Sequence, residues 1–262
     1  MSNILKQICD KKKIEIEYTK KKYSLQSLKK LLSKKNNRNF KKILKASKKN
    51  KINNIIAEIK KRSPSAGMII EDYSPEKIAI EYEKSGAGAI SILTESSFFS
   101  GHIDHLSLIN KKVNLPILRK DFILDSYQIY ESKVFKADSI LLIASILSDE
   151  QIKEFIKISE DIGIDCILEV HTHEEIQRAI KIDYQIIGIN NRNLDTLSVN
   201  TNNTINLLND MAKDYTIVAE SGINSHLDIL KYNNEGIYNF LIGESILKSK
   251  NIESKFHQLL NK

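Results

Sequence analysis

Eight short apolar runs, each closed by a polar or charged residue, recur along the chain from residue 55 onward. They are IIAEIK (55–60), AISILT (89–94), LPILRKD (115–121), DSILLIAS (138–145), DCILEV (165–170), QIIGINNR (185–192), TIVAES (216–221) and FLIGES (240–245). The stretches between them, such as SDEQIKEFIKISEDIG, have helical patterning and are long enough for right-handed crossovers between parallel strands. The pattern therefore predicts an α/β protein built as a (β/α)8 TIM barrel.

The polar residues that close these runs are the first candidates for chemistry, because the carboxyl ends of the strands form the active site of such a barrel. The closing residues with reactive or hydrogen-bonding side chains are Glu58, Lys60, Lys120, Glu169, Asn190, Arg192, Glu220 and Ser221. Side chains alternate along a strand, so Glu58 and Lys60 point to the same side and can form an ion pair. A solvated strand end is the alternative for that segment.

Charge is divided unevenly along the chain. Residues 1–51 contain 18 Lys and Arg against 3 Asp and Glu, a net of +15, so the whole-chain net of +7 leaves −8 for residues 52–262. A basic arm can bind nucleic acid. Its lysines are interspersed with apolar residues at helical spacing, as in SLQSLKKLLSKK, and this favours solvated helix faces. We expect no nucleic-acid partner.

Length and composition narrow the class of protein further. The 262 residues fit one barrel with a small extension, so we expect a single domain over residues 1–262. No run of 18 apolar residues occurs and no apolar signal segment begins the chain, so we expect a cytoplasmic protein without a membrane partner. Cys9 and Cys166 are far apart in sequence and suggest neither a zinc site nor a disulfide framework.

Two motifs resemble ligand sites but favour simpler interpretations. The segment SGAGAI (85–90) lacks the third glycine of a dinucleotide fingerprint and precedes a strand, which favours a tight turn. The pairs His102/His105 and His171/His173 have metal-like spacing but no obvious third ligand. We expect no metal.

Lys120 has two possible roles at the end of the third run. Beside the carboxylates Glu58, Glu169 and Glu220 it would stay protonated and could act as a general acid. In a dry pocket it would instead be a Schiff-base nucleophile. Periodicity does not choose between these roles.

Glycines lie at the carboxyl ends of the last two predicted strands. Gly222 and Gly243 lie where the seventh and eighth strands turn toward a helix. In phosphate-binding barrels, backbone N–H groups at these turns bind the phosphate. The sequence therefore predicts a phosphate site there.

The segments IIAEIKKRSPSAG, LTESSFFSG, PILRKDFI, ILEV, GINNRNL, VAESGI and LIGES, taken together, resemble the indole-3-glycerol phosphate synthase family of tryptophan biosynthesis. The resemblance spans residues 55–246 in the right order. It implies ring closure, decarboxylation and dehydration of 1-(2-carboxyphenylamino)-1-deoxyribulose 5-phosphate, without a cofactor. It also implies that residues 1–48 form an N-terminal helical extension over the barrel mouth, and we expect a monofunctional monomer.

The resemblance also implies roles for individual residues. Lys120 resembles the family's general acid, Glu169 its acid/base partner and Lys60 the second catalytic lysine. Polar residues that resemble members of the catalytic set are Glu58, Asn190 and Glu220. Substrate-binding residues implied in the same way are Ser63, Arg192, Ser221, Gly222, Gly243 and Glu244, the last through its backbone N–H alone. Candidates for an apolar wall beside the substrate's ring are Phe99, Phe122, Leu141 and Leu194.

Two other functions stay open on the sequence alone. A Schiff-base aldolase on the same fold would use Lys120 or Lys60 as its nucleophile. A nucleic-acid-binding protein would act through residues 1–51, although the acidic remainder argues against it. Because the strand pattern begins at residue 55, we also expect the barrel to fold without residues 1–45.

Overall fold

The computed structural model describes residues 3–32, 38–194, 196–208, 211 and 214–261. Eight parallel strands form a closed barrel in which each strand pairs with its neighbours in chain order and β1 pairs with β8. The strands are β1 (Asn54–Ile59), β2 (Ala89–Leu93), β3 (Ile117–Lys120), β4 (Ser139–Ile143), β5 (Asp165–Val170), β6 (Ile186–Asn190), β7 (Thr216–Glu220) and β8 (Asn239–Ile242). The predicted fold class is confirmed.

The strands are buried almost throughout, which explains why their sequences are continuous apolar runs. Helices cover the outer face of a parallel barrel and side chains fill its interior, so both faces of each strand exclude water. Register brings the predicted site residues side by side, since Asn190 pairs with Glu220 and Ile143 pairs with Glu169.

Helices follow every strand of the barrel, as the pattern predicted, and within the described part of the N-terminal extension three helices precede it. Their bounds are α1 (Asn3–Lys22), α2 (Leu25–Leu31), α3 (Phe40–Asn50), α4 (Pro75–Lys84), α5 (Asp104–Asn110), α6 (Ser126–Val134), α7 (Asp149–Ile162), α8 (His173–Ile182), α9 (Asn203–Leu208), α10 (His226–Asn234), α11 (Glu244–Leu247) and α12 (Ile252–Leu260). A two-stranded hairpin, Arg62–Ser63 with Gly67–Met68, lies in the loop after β1.

Local sequence signals fix the ends of several of these helices. Ser148 caps α7 and its partner Gln151 completes a capping box, while Gly163 ends the helix in a left-handed conformation. Asp125 and Ser225 form similar boxes at the starts of α6 and α10. Each reciprocal cap satisfies two backbone N–H groups that the helix itself leaves unpaired.

The N-terminal extension does not lie over the mouth along its whole length. Helix α1 lies there, because Leu5 and Ile8 line the cavity at the carboxyl ends of the strands. The buried Lys12 reaches Asp121, just past β3, with Nζ 3.0 Å from Oδ1. Further along α1, Lys20 Nζ lies 2.7 Å from Asp125 Oδ2.

Helix α3 covers the opposite end of the barrel. The amide of Asn239, the first residue of β8, donates to Leu44 O at 3.1 Å. The backbone N–H of Lys41 donates to Oδ2 of Asp165, the first residue of β5, at 2.8 Å. Phe40 and Leu44 are fully buried in the core. A deletion through residue 45 would therefore expose the lower end of the core, contrary to the expectation from the strand pattern.

In the described ranges, no helix combines the length and the apolarity needed to cross a membrane.

Candidate active site

A cavity of about 600 Å³ opens at the carboxyl ends of the strands. Of the predicted site residues, all but Glu220 line it, and Glu220 lies directly beside it through its contact with Lys120. The predicted residues on its wall are Glu58, Lys60, Ser63, Phe99, Lys120, Phe122, Leu141, Glu169, Asn190, Arg192, Leu194, Ser221, Gly222, Gly243 and Glu244. The structure thus brings the predicted set into one place.

Lys120, the last residue of β3, lies between carboxylates from other strands. Its Nζ is 2.8 Å from Glu220 Oε2 and 3.4 Å from Glu169 Oε2. Burial favours the neutral amine, but the charges of Glu220, Glu169 and Glu58 outweigh burial and raise the pKa of Lys120 well above its ordinary value. Lys120 is therefore a persistent ammonium ion at neutral pH.

The two carboxylates around Lys120 differ in their protonation. Burial raises the pKa of Glu220 and Lys120 opposes that rise, yet the nearby Glu169 adds to it and the pKa reaches about 8. Burial also works against the charged form of Glu169, but Lys120 and His171 outweigh it and keep the pKa of Glu169 below its usual range. Environments that separate two acids in this way are typical of acid–base catalysis.

Glu58 and Lys60 form the ion pair that strand alternation predicted. Glu58 Oε1 lies 2.6 Å from Lys60 Nζ, and both side chains are largely buried. Burial would raise the pKa of Glu58, but Lys60 and Lys120 lower it below the ordinary value. The pair keeps Lys60 at the cavity wall.

Asn190, at the end of β6, connects the acidic residues to the next strand. Its Nδ2 donates to Glu169 Oε2 at 3.3 Å, and its Oδ1 accepts from Ser221 Oγ at 2.8 Å. Ser221 itself has a positive φ of 66°. A non-glycine residue with a positive φ has a strained backbone, and strained residues of this kind cluster at functional sites.

The turns after β7 and β8 are close to other side chains. Gly222 has a φ of 81°, and a Cβ at Gly243 would lie 2.6 Å from Glu58 Oε1. Glycine at 243 therefore makes room for the Glu58 carboxylate as well as for any ligand. A larger residue at position 243 would displace Glu58 first, so its effect on activity would include the displacement of Glu58 as well as any change in phosphate binding.

Cationic side chains surround the wall near Gly243. Glu244 Oε1 lies 2.6 Å from Lys248 Nζ, and its Oε2 lies 3.8 Å from Arg192 Nη2. Arg192 also donates from Nη1 to Leu197 O at 2.9 Å. The carboxylate of Glu244 thus occupies the space between two cations that an anionic ligand could use.

The predicted apolar residues all contribute to the wall of the cavity. The rings of Phe99 and Phe122 lie with centroids 6.3 Å apart, and Leu141 and Leu194 also line the cavity. Ser63, in the hairpin after β1, accepts a hydrogen bond from the backbone N–H of Ala66 at 3.1 Å. A flat apolar ring would fit against this wall.

Sequence reasoning missed several residues of the cavity. Lys248 lies four residues after Glu244, and this helical spacing was an available signal. His171 was considered only as a metal ligand, although it follows Glu169 by two residues at the end of a strand. Leu5 and Ile8 of α1 carried no local signal, since an amphipathic helix does not reveal which surface it covers.

Comparisons with known proteins identify the family of this chain. The family model described as indole-3-glycerol phosphate synthase matches residues 5–259. A protein of that name from Endomicrobium trichonymphae is 45% identical over 260 residues, covering 98% of this chain and 99% of the relative. Its namesake from Legionella pneumophila is 41% identical over 260 residues, covering 99% of both chains. One from Acetivibrio thermocellus is 49% identical over 205 residues, covering 78% of both chains.

Solved structures support the fold alone. The crystal structure of KGPDC from Streptococcus mutans has a TM-score of 0.57 and 16% sequence identity, covering 78% of this chain and 94% of that chain. Identity at this level says nothing about activity. The family match and the relatives at 40–49% identity do, and the resemblance found in the sequence is confirmed. The chain belongs to the indole-3-glycerol phosphate synthase family.

Proposed function

We propose that Lys120, Lys60 and Glu169 are the acid–base groups of the synthase reaction in this chain. The enzyme is a carboxy-lyase of tryptophan biosynthesis, which converts 1-(2-carboxyphenylamino)-1-deoxyribulose 5-phosphate to indole-3-glycerol phosphate. The aromatic carbon that bears the carboxylate bonds to the ketone carbon, carbon dioxide leaves, and the former ketone oxygen departs as water. Each step needs a proton at a defined atom, and positioned acids and bases supply it.

Lys120 is the proposed acid for ring closure. A proton given to the ketone oxygen makes the ketone carbon electrophilic at the moment the ring carbon approaches it. The observation that carries this proposal is the position of Lys120 within reach of Glu220 and Glu169, which keep the ammonium protonated. The same observation disfavours a Schiff-base aldolase, because a nucleophilic lysine must first lose its proton.

Dehydration is assigned to the remaining pair of acid–base groups, Lys60 and Glu169. Lys60 would protonate the departing hydroxyl, and the ionised Glu169 would take the proton from the neighbouring carbon. Glu58 holds Lys60 at 2.6 Å, and Asn190 fixes one oxygen of Glu169. Glu58, Asn190 and Glu220 are thus proposed to orient the three acid–base groups, since Glu220 contacts Lys120 at 2.8 Å.

The phosphate and the aromatic ring of the substrate are proposed to occupy different parts of the cavity. Its phosphate is proposed to lie between the turns after β7 and β8, near the N–H groups of Gly222, Gly243 and Glu244 and the hydroxyl of Ser221. Arg192 supplies a positive charge there. The aromatic ring is proposed to lie against the apolar wall, where Ser63 and Phe122 also line the cavity.

Incubation with the anilino-ribulose phosphate tests the assignment. We expect indole fluorescence to rise while carbon dioxide is released in equal amount. A borohydride-treated sample containing substrate should keep its activity, because no imine forms. Loss of activity with covalent labelling of Lys120 or Lys60 would instead support the aldolase type of chemistry.

A cytoplasmic location and a monomeric state are also proposed. The location is the expectation already drawn from the composition of the chain, and the monomeric state follows the resemblance to the family, whose members act on a small phosphorylated substrate. Sedimentation of the purified chain at several concentrations measures the oligomeric state directly. A molecular mass that rises with concentration would contradict the monomer.

A further inference from the structure

His171 is a buried imidazole that the proposed chemistry does not use. It lies between the end of β5 and the start of α8, and its side chain is only 9% exposed. Among the described residues, no group of three or more His, Cys, Asp or Glu side chains could hold a metal ion. The surroundings of the ring are instead carboxylates.

Two carboxylates face the two nitrogens of this ring. Glu169 Oε1, on β5, lies 3.4 Å from Nε2, and Glu175 Oε2, in the first turn of α8, lies 3.4 Å from Nδ1. The same oxygen of Glu175 accepts the backbone N–H of His171 at 2.7 Å, which fixes the loop. From α9, Asn203 donates to the backbone oxygen of His171 at 3.2 Å.

Acidic and basic side chains therefore alternate from the rim into the barrel. Glu175 is followed by His171, then Glu169, then Lys120 and finally Glu220, which at a pKa of about 8 is protonated at neutral pH. The two oxygens of Glu169 have different partners, since Oε2 faces Lys120 and Asn190 while Oε1 faces His171. A positive imidazolium 3.4 Å from Oε1 attracts the carboxylate and favours its ionised form.

The charge of the ring follows from the groups around it. Burial favours the neutral imidazole, but Glu175, Glu169 and the more distant Glu220 together outweigh burial and raise the pKa of His171 above its ordinary value. Lys120 is the nearest cation in this series and is separated from the ring by Glu169. The ring is therefore cationic below neutral pH.

We propose that His171 is a positioning residue that keeps Glu169 ionised and turns its Oε2 toward Lys120 and the substrate. This inference rests on the proposed function, in which ionised Glu169 is the base. A cation beside Glu169 lowers the pH at which that carboxylate gains a proton. Without it, Glu169 would become protonated, and inactive as a base, at higher pH.

The pH profile of kcat/KM for His171→Asn tests this role. Asparagine is close in size but carries no charge, so we expect the acid limb of the profile to move upward by about 1 pH unit. His173→Asn is the matched control, because His173 is an exposed histidine two residues away. Its profile should superimpose on that of the wild type. A His171→Asn profile that also superimposes on the wild type would overturn the proposal and leave His171 as a space-filling residue.

A second measurement does not depend on turnover or on the stability of His171→Asn. An NMR titration of the imidazole in the intact protein should give His171 a pKa above the ordinary value for histidine, and Glu175→Gln should lower it. A His171 pKa at or below the ordinary value would contradict the proposal.

The turnover of Glu169→Gln distinguishes a failure of the proposed function from a failure of the inference about His171. If Glu169→Gln keeps near-normal turnover, then Glu169 is not the base, whatever the profile of His171→Asn. If Glu169→Gln is inactive but His171→Asn is unchanged, only the inference about His171 fails.

Discussion

The two ends of the barrel are each covered by a helix of the N-terminal extension, and the helix at the mouth adds ion pairs to its apolar contacts. At the mouth, α1 buries Leu5 and Ile8 in the core and also forms ion pairs, from Lys12 to Asp121 at 3.0 Å and from Lys20 to Asp125 at 2.7 Å. At the lower end, α3 is held by the fully buried side chains Phe40 and Leu44.

The two ends of the barrel also differ in how their buried polar and charged groups are arranged. The mouth collects charges around Lys120, where burial and neighbouring ions move pKa values in opposite directions. At the lower end the buried polar groups have local partners: Asn54 Nδ2 donates to Asn239 Oδ1 at 2.9 Å, and Asp138 Oδ2 accepts the N–H of Ile117 at 2.8 Å. The difference teaches that the mouth collects several interacting charges where the chemistry is proposed, while these polar groups at the lower end are held by individual hydrogen bonds. Four variants test this comparison.

Phe40→Ala should have the largest effect, which is a loss of stability. Loss of a fully buried aromatic ring removes apolar contacts and leaves a cavity, so the free energy of unfolding should fall by about 3–5 kcal/mol. Urea unfolding measures it, with the exposed Lys45→Ala on the same helix as control. The kcat of the folded fraction should stay near that of the wild type. A large loss of kcat with unchanged stability would mean that the lower end takes part in turnover.

Glu220→Gln should have the second largest effect. It should make the free energy of unfolding less dependent on pH. The pKa of Glu220 in the folded chain is about 8, above the ordinary 4.5, so its contribution to stability is present below pH 4.5 and is lost as pH rises through 8. Glutamine removes that dependence. We expect the variant to be more stable than the wild type at pH 8 by about 4 kcal/mol, because each pKa unit above 4.5 corresponds to about 1.4 kcal/mol. Parallel stability curves for the two proteins at pH 5 and pH 8 would contradict the raised pKa.

Lys12→Met should mainly affect substrate binding. It removes the cation that joins α1 to Asp121 but leaves Arg119 as a partner of that carboxylate at 3.0 Å. The helix should dock less tightly, and KM should rise about tenfold, equivalent to about 1.4 kcal/mol. Steady-state kinetics compare it with Lys13→Met, an exposed neighbour on the same helix. Equal KM values for the two variants would show that the ion pair does not hold a substrate-binding helix.

Glu244→Ser should have the smallest effect. The carboxylate competes with an incoming phosphate for Lys248 and Arg192, so its removal should tighten competitive inhibition by inorganic phosphate about two- to fivefold. Glu253→Ser, on the exposed face of α12, is the control. Weaker inhibition in Glu244→Ser would mean that this carboxylate does not compete with phosphate.

The sequence was sufficient to predict the barrel and the location of the site. Continuous apolar runs identify strands that are buried on both faces, and alternation within IIAEIK placed Glu58 and Lys60 together. The positions of Lys120 and Glu169 followed from the rule that strand ends meet at the mouth. The resemblance to the family added the roles of these residues, which remain proposals.

What the sequence did not predict depends on packing between distant segments. The apolar face of α3 indicates that the helix is buried but not that it covers the lower end. The contact of His171 with Glu169 and Glu175 depends on side-chain rotamers and on the start of α8. The separation of the pKa values of Glu169 and Glu220 depends on the burial of both groups around one lysine.

The turnover of Lys120→Met tests the central claim most directly, since that claim makes Lys120, which is protonated before the reaction, the acid that gives its proton to the ketone oxygen in ring closure. Indole formation would be measured beside Lys111→Met, which replaces an exposed lysine, with circular dichroism to verify that both variants are folded. The account predicts that kcat falls at least about a hundredfold in Lys120→Met and stays unchanged in Lys111→Met. Near-normal turnover by folded Lys120→Met would contradict it.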